Sequence, residues 1–166
     1  MLSRIIMLMK AAAPTYRYLR LHITDTVNDE YCVVADCRFR VGATDYPTVN
    51  MTSDTAPSPL VSTYSSRADA TESAWLAFDS NTASYWRSAI PDAGPYWISL
   101  DLGAGNGINP TALILTTNAT GGDLNRSPRT FTVRGSNTGA FAGEETILHT
   151  ETNYTWASAG PFTFTF

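Results

Sequence analysis

Tyr16-Arg17-Tyr18-Leu19-Arg20-Leu21-His22-Ile23-Thr24 alternates without a break, with Leu19, Leu21 and Ile23 on one face and Tyr18, Arg20 and His22 on the other. A period of two with one apolar face is the pattern of a half-buried β-strand. Downstream, Tyr31 to Val41 repeats it, grouping Val33, Ala35, Cys37, Phe39 and Val41 against Val34, Asp36, Arg38 and Arg40. A hairpin through Val27-Asn28-Asp29-Glu30 is expected to join the two segments. Further along, Thr111 to Thr117 carries the continuous apolar run Leu113-Ile114-Leu115, suited to a sandwich interior. Phe131, Val133 and Gly135 alternate with Thr132 and Arg134, and Phe162-Thr163-Phe164-Thr165-Phe166 sets three Phe on one face. Gly, Pro, Asn and Asp punctuate these runs, so the chain reads as antiparallel and all-β. A short helix is expected around Glu72 to Phe78, and Gly42 to Pro59 is the main irregular stretch.

With 166 residues the chain is long enough for one substantial core and too short for two ordinary domains. The boundaries read as an arm at residues 1–13 and a single domain at 14–166. Charged residues make up 16% with a net charge of -4, so no basic surface for nucleic acid or anionic lipid is expected. No apolar run approaches the roughly 20 residues that span a bilayer, which argues against membrane insertion. In Met1-Leu2-Ser3-Arg4-Ile5-Ile6-Met7-Leu8-Met9-Lys10, Lys10 interrupts the apolar stretch before a signal-peptide core can form. The segment reads instead as an assembly arm that packs on its own domain or on a neighbouring subunit. Cys32 and Cys37 are the only cysteines. Their odd separation along one strand places them on opposite faces, which favours two reduced, packed thiols over a disulfide.

Three further stretches carry more specific information: Ala77-Phe78-Asp79-Ser80-Asn81-Thr82-Ala83-Ser84-Tyr85-Trp86, then Trp97-Ile98-Ser99-Leu100-Asp101-Leu102-Gly103, then Ser127-Pro128-Arg129-Thr130-Phe131-Thr132-Val133-Arg134-Gly135-Ser136-Asn137. Their order and spacing resemble the discoidin-like family of galactose-binding-like jelly rolls, which includes coagulation-factor C-type domains and family 32 carbohydrate-binding modules. The family pattern runs A-F-D-G-N-x-x-T-x-W, W-I-x-x-D-L-G, S-P-x-x-F-x-V-x-G-S-N. Such domains normally end in a strand pair of the form Y-R-Y-x-R-L-x-I and Y-x-x-I-A-E-L-E-F. Here Tyr16 to Ile23 and Tyr31 to Phe39, which resemble that pair, come first. The resemblance therefore implies a circularly permuted jelly-roll β-sandwich, with donation of the pair to a neighbouring copy as the other arrangement. This permuted order is a form seen in phage and prophage proteins.

The resemblance implies binding rather than catalysis. It places a structural calcium ion in the loop of Asp79, Asn81, Thr82 and Ser84, with a further ligand from Asp36. Ser80 stands where the pattern has Gly, and an Asx-type turn closed by hydrogen bonds alone is the competing account of the loop. It also places a glycan at one end of the sandwich, for which the candidates are Tyr64, Arg67, Tyr85, Arg87, Tyr96, Arg126 and Trp156. Trp86 and Trp97 read as core residues. No motif of nucleophile, base or zinc ligands at a known spacing appears, and nominating Asp79 with Asp101 or Glu144 with Glu145 as a glycosidase pair has no support. The sequons at Asn50, Asn118, Asn125 and Asn153 matter only in a eukaryotic secretory pathway. Together these readings lead to the expectation of a multicopy virion subunit, assembled in the host cytoplasm and carried on the extracellular particle. It would recognise a host-surface glycan within a tail or receptor-binding assembly and join other virion subunits through residues 1–13. A decoration, cement or adaptor subunit making protein contacts only is the alternative.

Overall fold

The computed structural model describes residues 13–28, 30–90, 94–117 and 124–166. The expected arm, apart from residue 13, lies outside the described residues, as do Asp29 and the sequon at Asn118. Eleven strands follow in order among the described residues: β1 (Tyr18–Thr26), β2 (Val33–Val34), β3 (Asp36–Val41), β4 (Thr44–Tyr46), β5 (Val61–Tyr64), β6 (Trp86–Arg87), β7 (Tyr96–Asp101), β8 (Ala112–Thr116), β9 (Pro128–Ser136), β10 (Thr146–Glu151) and β11 (Phe162–Thr165). Every pairing is antiparallel. The expected helix is a 3-10 segment at Ala74–Phe78.

A five-stranded sheet runs β10-β9-β1-β7-β5 and a four-stranded sheet runs β11-β8-β3-β4. Leu19, Leu21 and Ile23 of β1, with Phe131 and Val133 of β9, join Phe39 of β3 and Leu113 and Leu115 of β8 in one buried cluster. Phe131 meets Phe164 of β11 edge to face across the gap, with ring centroids 5.1 Å apart. Two antiparallel sheets sharing one apolar interior make an all-β arrangement compatible with a β-sandwich.

The N-terminal strands are central to both sheets. β1 lies between β9 and β7, with Leu21 opposite both Val133 and Ile98. β3 lies between β8 and β4. The expected hairpin between these segments is therefore corrected. Both ladder edges of β1 are taken by β7 and β9, so the chain crosses to the opposite sheet instead of folding back on itself.

The uniform alternation expected from Tyr31 to Val41 also needs correction. The chain breaks at Ala35: β2 pairs with β6, and β3 with β8. Cys32 and Val34 before the break, and Cys37 and Phe39 after it, all enter the core, so the phase slips by one residue. The two cysteines thus join one interior rather than opposite faces. Both are free and fully buried, and that burial pushes the two thiols well above the ordinary range.

The outer face of the five-stranded sheet carries Arg20 and His22. Arg20 lies between two rings, 3.9 Å from that of Trp97 and 3.8 Å from that of Phe141, and its Nε donates to Ser99 Oγ at 2.7 Å. Trp97 accordingly faces outward, not into the core as expected, because the inward register of β7 belongs to Tyr96, Ile98 and Leu100. Burial, reinforced by Arg134 and Arg20 and only partly opposed by Glu145, pushes His22 down to about 4. Unfolded histidine titrates near 6.5, so stability from the neutral ring is fully present above about pH 6.5. It is lost as pH falls toward about 4, where the folded protein also takes up the proton. His22→Gln should flatten the decline of Tm across that window. An unchanged decline would assign the acid sensitivity to other groups.

Candidate functional site

β6 is the pivot of the candidate site. Trp86 is fully buried, and its Nε1 donates to the Ser66 carbonyl at 3.0 Å. Its neighbours Tyr85 and Arg87 are both half-buried, as strand alternation requires. Arg87 donates through Nε to Glu72 Oε2 at 2.8 Å, with Nη2 also 2.8 Å from that oxygen. Glu72 is only 8% exposed, which makes its pairing with Arg87 necessary. Burial opposes the charge on Arg87, but Glu72 outweighs that effect and raises its pKa. Backbone bonds from Ala68 N to the Arg87 carbonyl and from Arg87 N to the Glu72 carbonyl tie the two segments together.

A shallow cleft of about 200 Å³ opens beside this pair, lined by Thr71, Glu72, Leu76, Ala83, Ser84 and Tyr85. Beyond Arg87 stands the Tyr31 ring, 5.8 Å from the Arg87 guanidinium and 4.5 Å from that of Arg126. Arg126 in turn approaches Glu30 at 3.9 Å. The fold thus brings Tyr85, Arg87 and Arg126 to one neighbourhood. It adds Glu72, Thr71 and Tyr31, which sequence reasoning had not singled out. Nothing local marks Glu72 as a site residue, because its partner lies fifteen positions away.

Arg67 and Tyr64 serve as buttresses. Arg67 Nη1 donates to Ser73 Oγ at 3.1 Å, and its guanidinium lies 5.5 Å from the Tyr64 ring. Ser73 Oγ donates to Asp54, which also accepts from Ser62 Oγ at 2.6 Å and from Trp75 N at 3.2 Å. Tyr96 and Trp156 are corrected from loop aromatics to core residues. Tyr96 is 3% exposed on the inner register of β7. Trp156 is 7% exposed, donates from Nε1 to the Pro128 carbonyl at 2.7 Å, and packs against Tyr154 and Phe162.

The Asp79 to Ser84 loop forms one wall of the cleft through Ala83 and Ser84. Asp79 accepts from Asn81 N at 2.8 Å through one oxygen and from Ser84 Oγ at 2.6 Å through the other. Asn81 Oδ1 accepts from Ala83 N at 3.1 Å. These are the bonds of Asx turns, which close the loop from within. Ser80 has φ +58°, in the left-handed region where glycine is preferred, and the family pattern has Gly at this position. Asp36, Ser80 and Thr82 line a separate trough of about 470 Å³ on the outer face of the four-stranded sheet. There Arg38 Nε donates to Asp36 Oδ1 at 3.0 Å and Nη2 donates to Ser80 Oγ. Calcium takes six to eight oxygens that face it. Here Asp79 accepts from a loop amide and from the Ser84 hydroxyl, Asn81 accepts from a loop amide, and Asp36 and Ser80 are bonded to the Arg38 guanidinium. Among the described residues, no group of three or more His, Cys, Asp or Glu side chains is gathered as a metal site.

No protein-family model, curated protein or solved structure matches the chain.

Proposed function

We propose that the chain is a non-enzymatic binding module that recognises a terminal sugar of a host-surface glycan through the cleft between Tyr85 and Glu72. One observation carries this reading: a nearly buried carboxylate, locked by Arg87, lines an open cleft together with an aromatic ring and two hydroxyl-bearing residues. An oriented carboxylate accepts hydrogen bonds from sugar hydroxyls, Thr71 and Ser84 add short-range polar partners, and a tyrosine face suits the apolar side of a pyranose. The volume is below the roughly 300 Å³ at which drug-sized pockets begin, which suits a single sugar ring. A glycosidase needs two carboxyl groups flanking the bond it cleaves. Glu72 is the one carboxylate among the described residues lining the cleft.

The architecture we assign to this module is a circularly permuted, discoidin-like jelly roll. The central positions of β1 and β3, which carry the strand pair that ends such domains, support that assignment. Within this reading the chain is a multicopy phage virion component, where weak single sites suffice because linked copies raise avidity a hundredfold or more.

The isolated full chain should bind a glycan with Kd in the micromolar to millimolar range, about -8 to -4 kcal/mol. Tyr85→Ala and Thr71→Ala should each weaken binding about fivefold or more with little change in Tm, since loss of a stacking face or hydrogen bond is worth about 1 kcal/mol or more. A glycan array with the oligomerised chain, followed by titration of the variants, checks both. If no glycan is bound, or if Tyr85→Ala binds as the parent does, the adaptor reading replaces this one.

A further inference from the structure

Arg38 is placed as no ordinary strand arginine is. It sits in mid-strand on β3, is 5% exposed, and spans three segments of the chain. Nε donates to Asp36 on its own strand at 3.0 Å, Nη1 to the carbonyl of Pro47 just past β4 at 3.1 Å, and Nη2 to Ser80 in the 79–84 loop. Gathering a carboxylate, a main-chain carbonyl and a hydroxyl from separate segments is the work of a hard cation. A guanidinium can do it too, because its five donors lie in a fixed fork and its charge is permanent. Burial raises the Asp36 pKa, Asp79 and Asp45 add to that rise, and Arg38 opposes it. Arg40 already holds Asp45 through bonds of 2.6 and 2.8 Å, and Arg38 is the cation bonded to Asp36, so removing the Arg38 guanidinium would leave Asp36 without its charge partner. Ser80 keeps its left-handed backbone conformation while supplying the hydroxyl that Arg38 reaches.

We propose that Arg38 is the resident cation of this junction: its guanidinium holds the 79–84 loop to the four-stranded sheet in place of a metal ion, so the folded protein is indifferent to calcium. Shortening residue 38 should leave Asp36, Ser80 and the Pro47 carbonyl facing a vacated, negatively charged hollow able to accept a divalent cation. This inference is independent of glycan binding, and its readout is thermal melting.

The test melts the full chain, Arg38→Ala and Arg38→Lys, each in excess EDTA and in millimolar calcium. The parent should melt at one temperature in both. Arg38→Lys, with its charge kept but its fork lost, should melt lower and remain insensitive to calcium. Arg38→Ala should melt lowest in EDTA and recover part of the loss in calcium. A parent whose Tm rises with calcium overturns the proposal, and this measurement stands even if Arg38→Ala fails to fold. A folded Arg38→Ala that matches the parent in EDTA, or that shows no calcium response, also overturns it.

Discussion

Trp86→Ala is expected to lower stability by about 3–5 kcal/mol, the range for emptying a large aromatic site in a packed core. For a chain of this size that corresponds to a fall in Tm of about 6–20 °C. Trp86 is among the largest fully buried side chains, and its removal would also leave the Ser66 carbonyl without the indole donor that now satisfies it. The comparison that gives this result meaning is Trp97→Ala. Trp97 lies on the outer face of β7, and its main specific partner is the Arg20 guanidinium at 3.9 Å. Its loss should cost only about 1–2 kcal/mol, the scale of a partly desolvated cation–π contact. Thermal melts of the two variants side by side decide the matter. Equal losses would mean that the outer face is as tightly packed as the core.

The second large effect is expected from adding a single methyl group. In β9, a Cβ placed on Gly135 would come within 2.4 Å of Tyr16 Cγ and 2.7 Å of its Cδ atoms. Real carbon contacts do not approach so closely. The Tyr16 ring is a poor candidate for giving way, because it is 6% exposed, belongs to the core cluster, and is pinned by paired backbone bonds to Ile108. Gly135→Ala should therefore destabilise by about 1–3 kcal/mol, as overpacking usually does. Tyr16→Ala combined with Gly135→Ala should lose less than the sum of the two single changes, because the clash is removed with the ring. Denaturant unfolding of the four species gives the coupling directly, and simple additivity would show that Tyr16 is not what excludes the methyl.

Alternation alone is enough to find β1, β9 and β11, because a period of two is written locally and reports which face is buried whatever the partner strand is. That period by itself assigns Leu19, Leu21 and Ile23 to the core, and the observed burial follows the same register. The continuous run at Leu113 to Leu115 likewise marks an interior strand. The loop motif from Asp79 to Ser84 is also legible locally, since an Asx turn is made by neighbours two or three residues apart.

Only the tertiary structure could decide features set by partners distant in sequence. The slip of phase at Ala35 follows from β2 pairing with β6 while β3 pairs with β8, and no residue between Tyr31 and Val41 announces it. Trp86, Trp97 and Trp156 are chemically identical in the sequence. The first and third are sealed by neighbours from other strands and loops, whereas the second stands on an outer register. The cleft depends on Glu72 meeting Arg87, and the place expected for calcium depends on Arg38 reaching Pro47 and Ser80. Local pattern determines which way a side chain leaves its strand. What it meets there is settled by how the two sheets and their loops are stacked, since burial and charge pairing are properties of the whole packed chain.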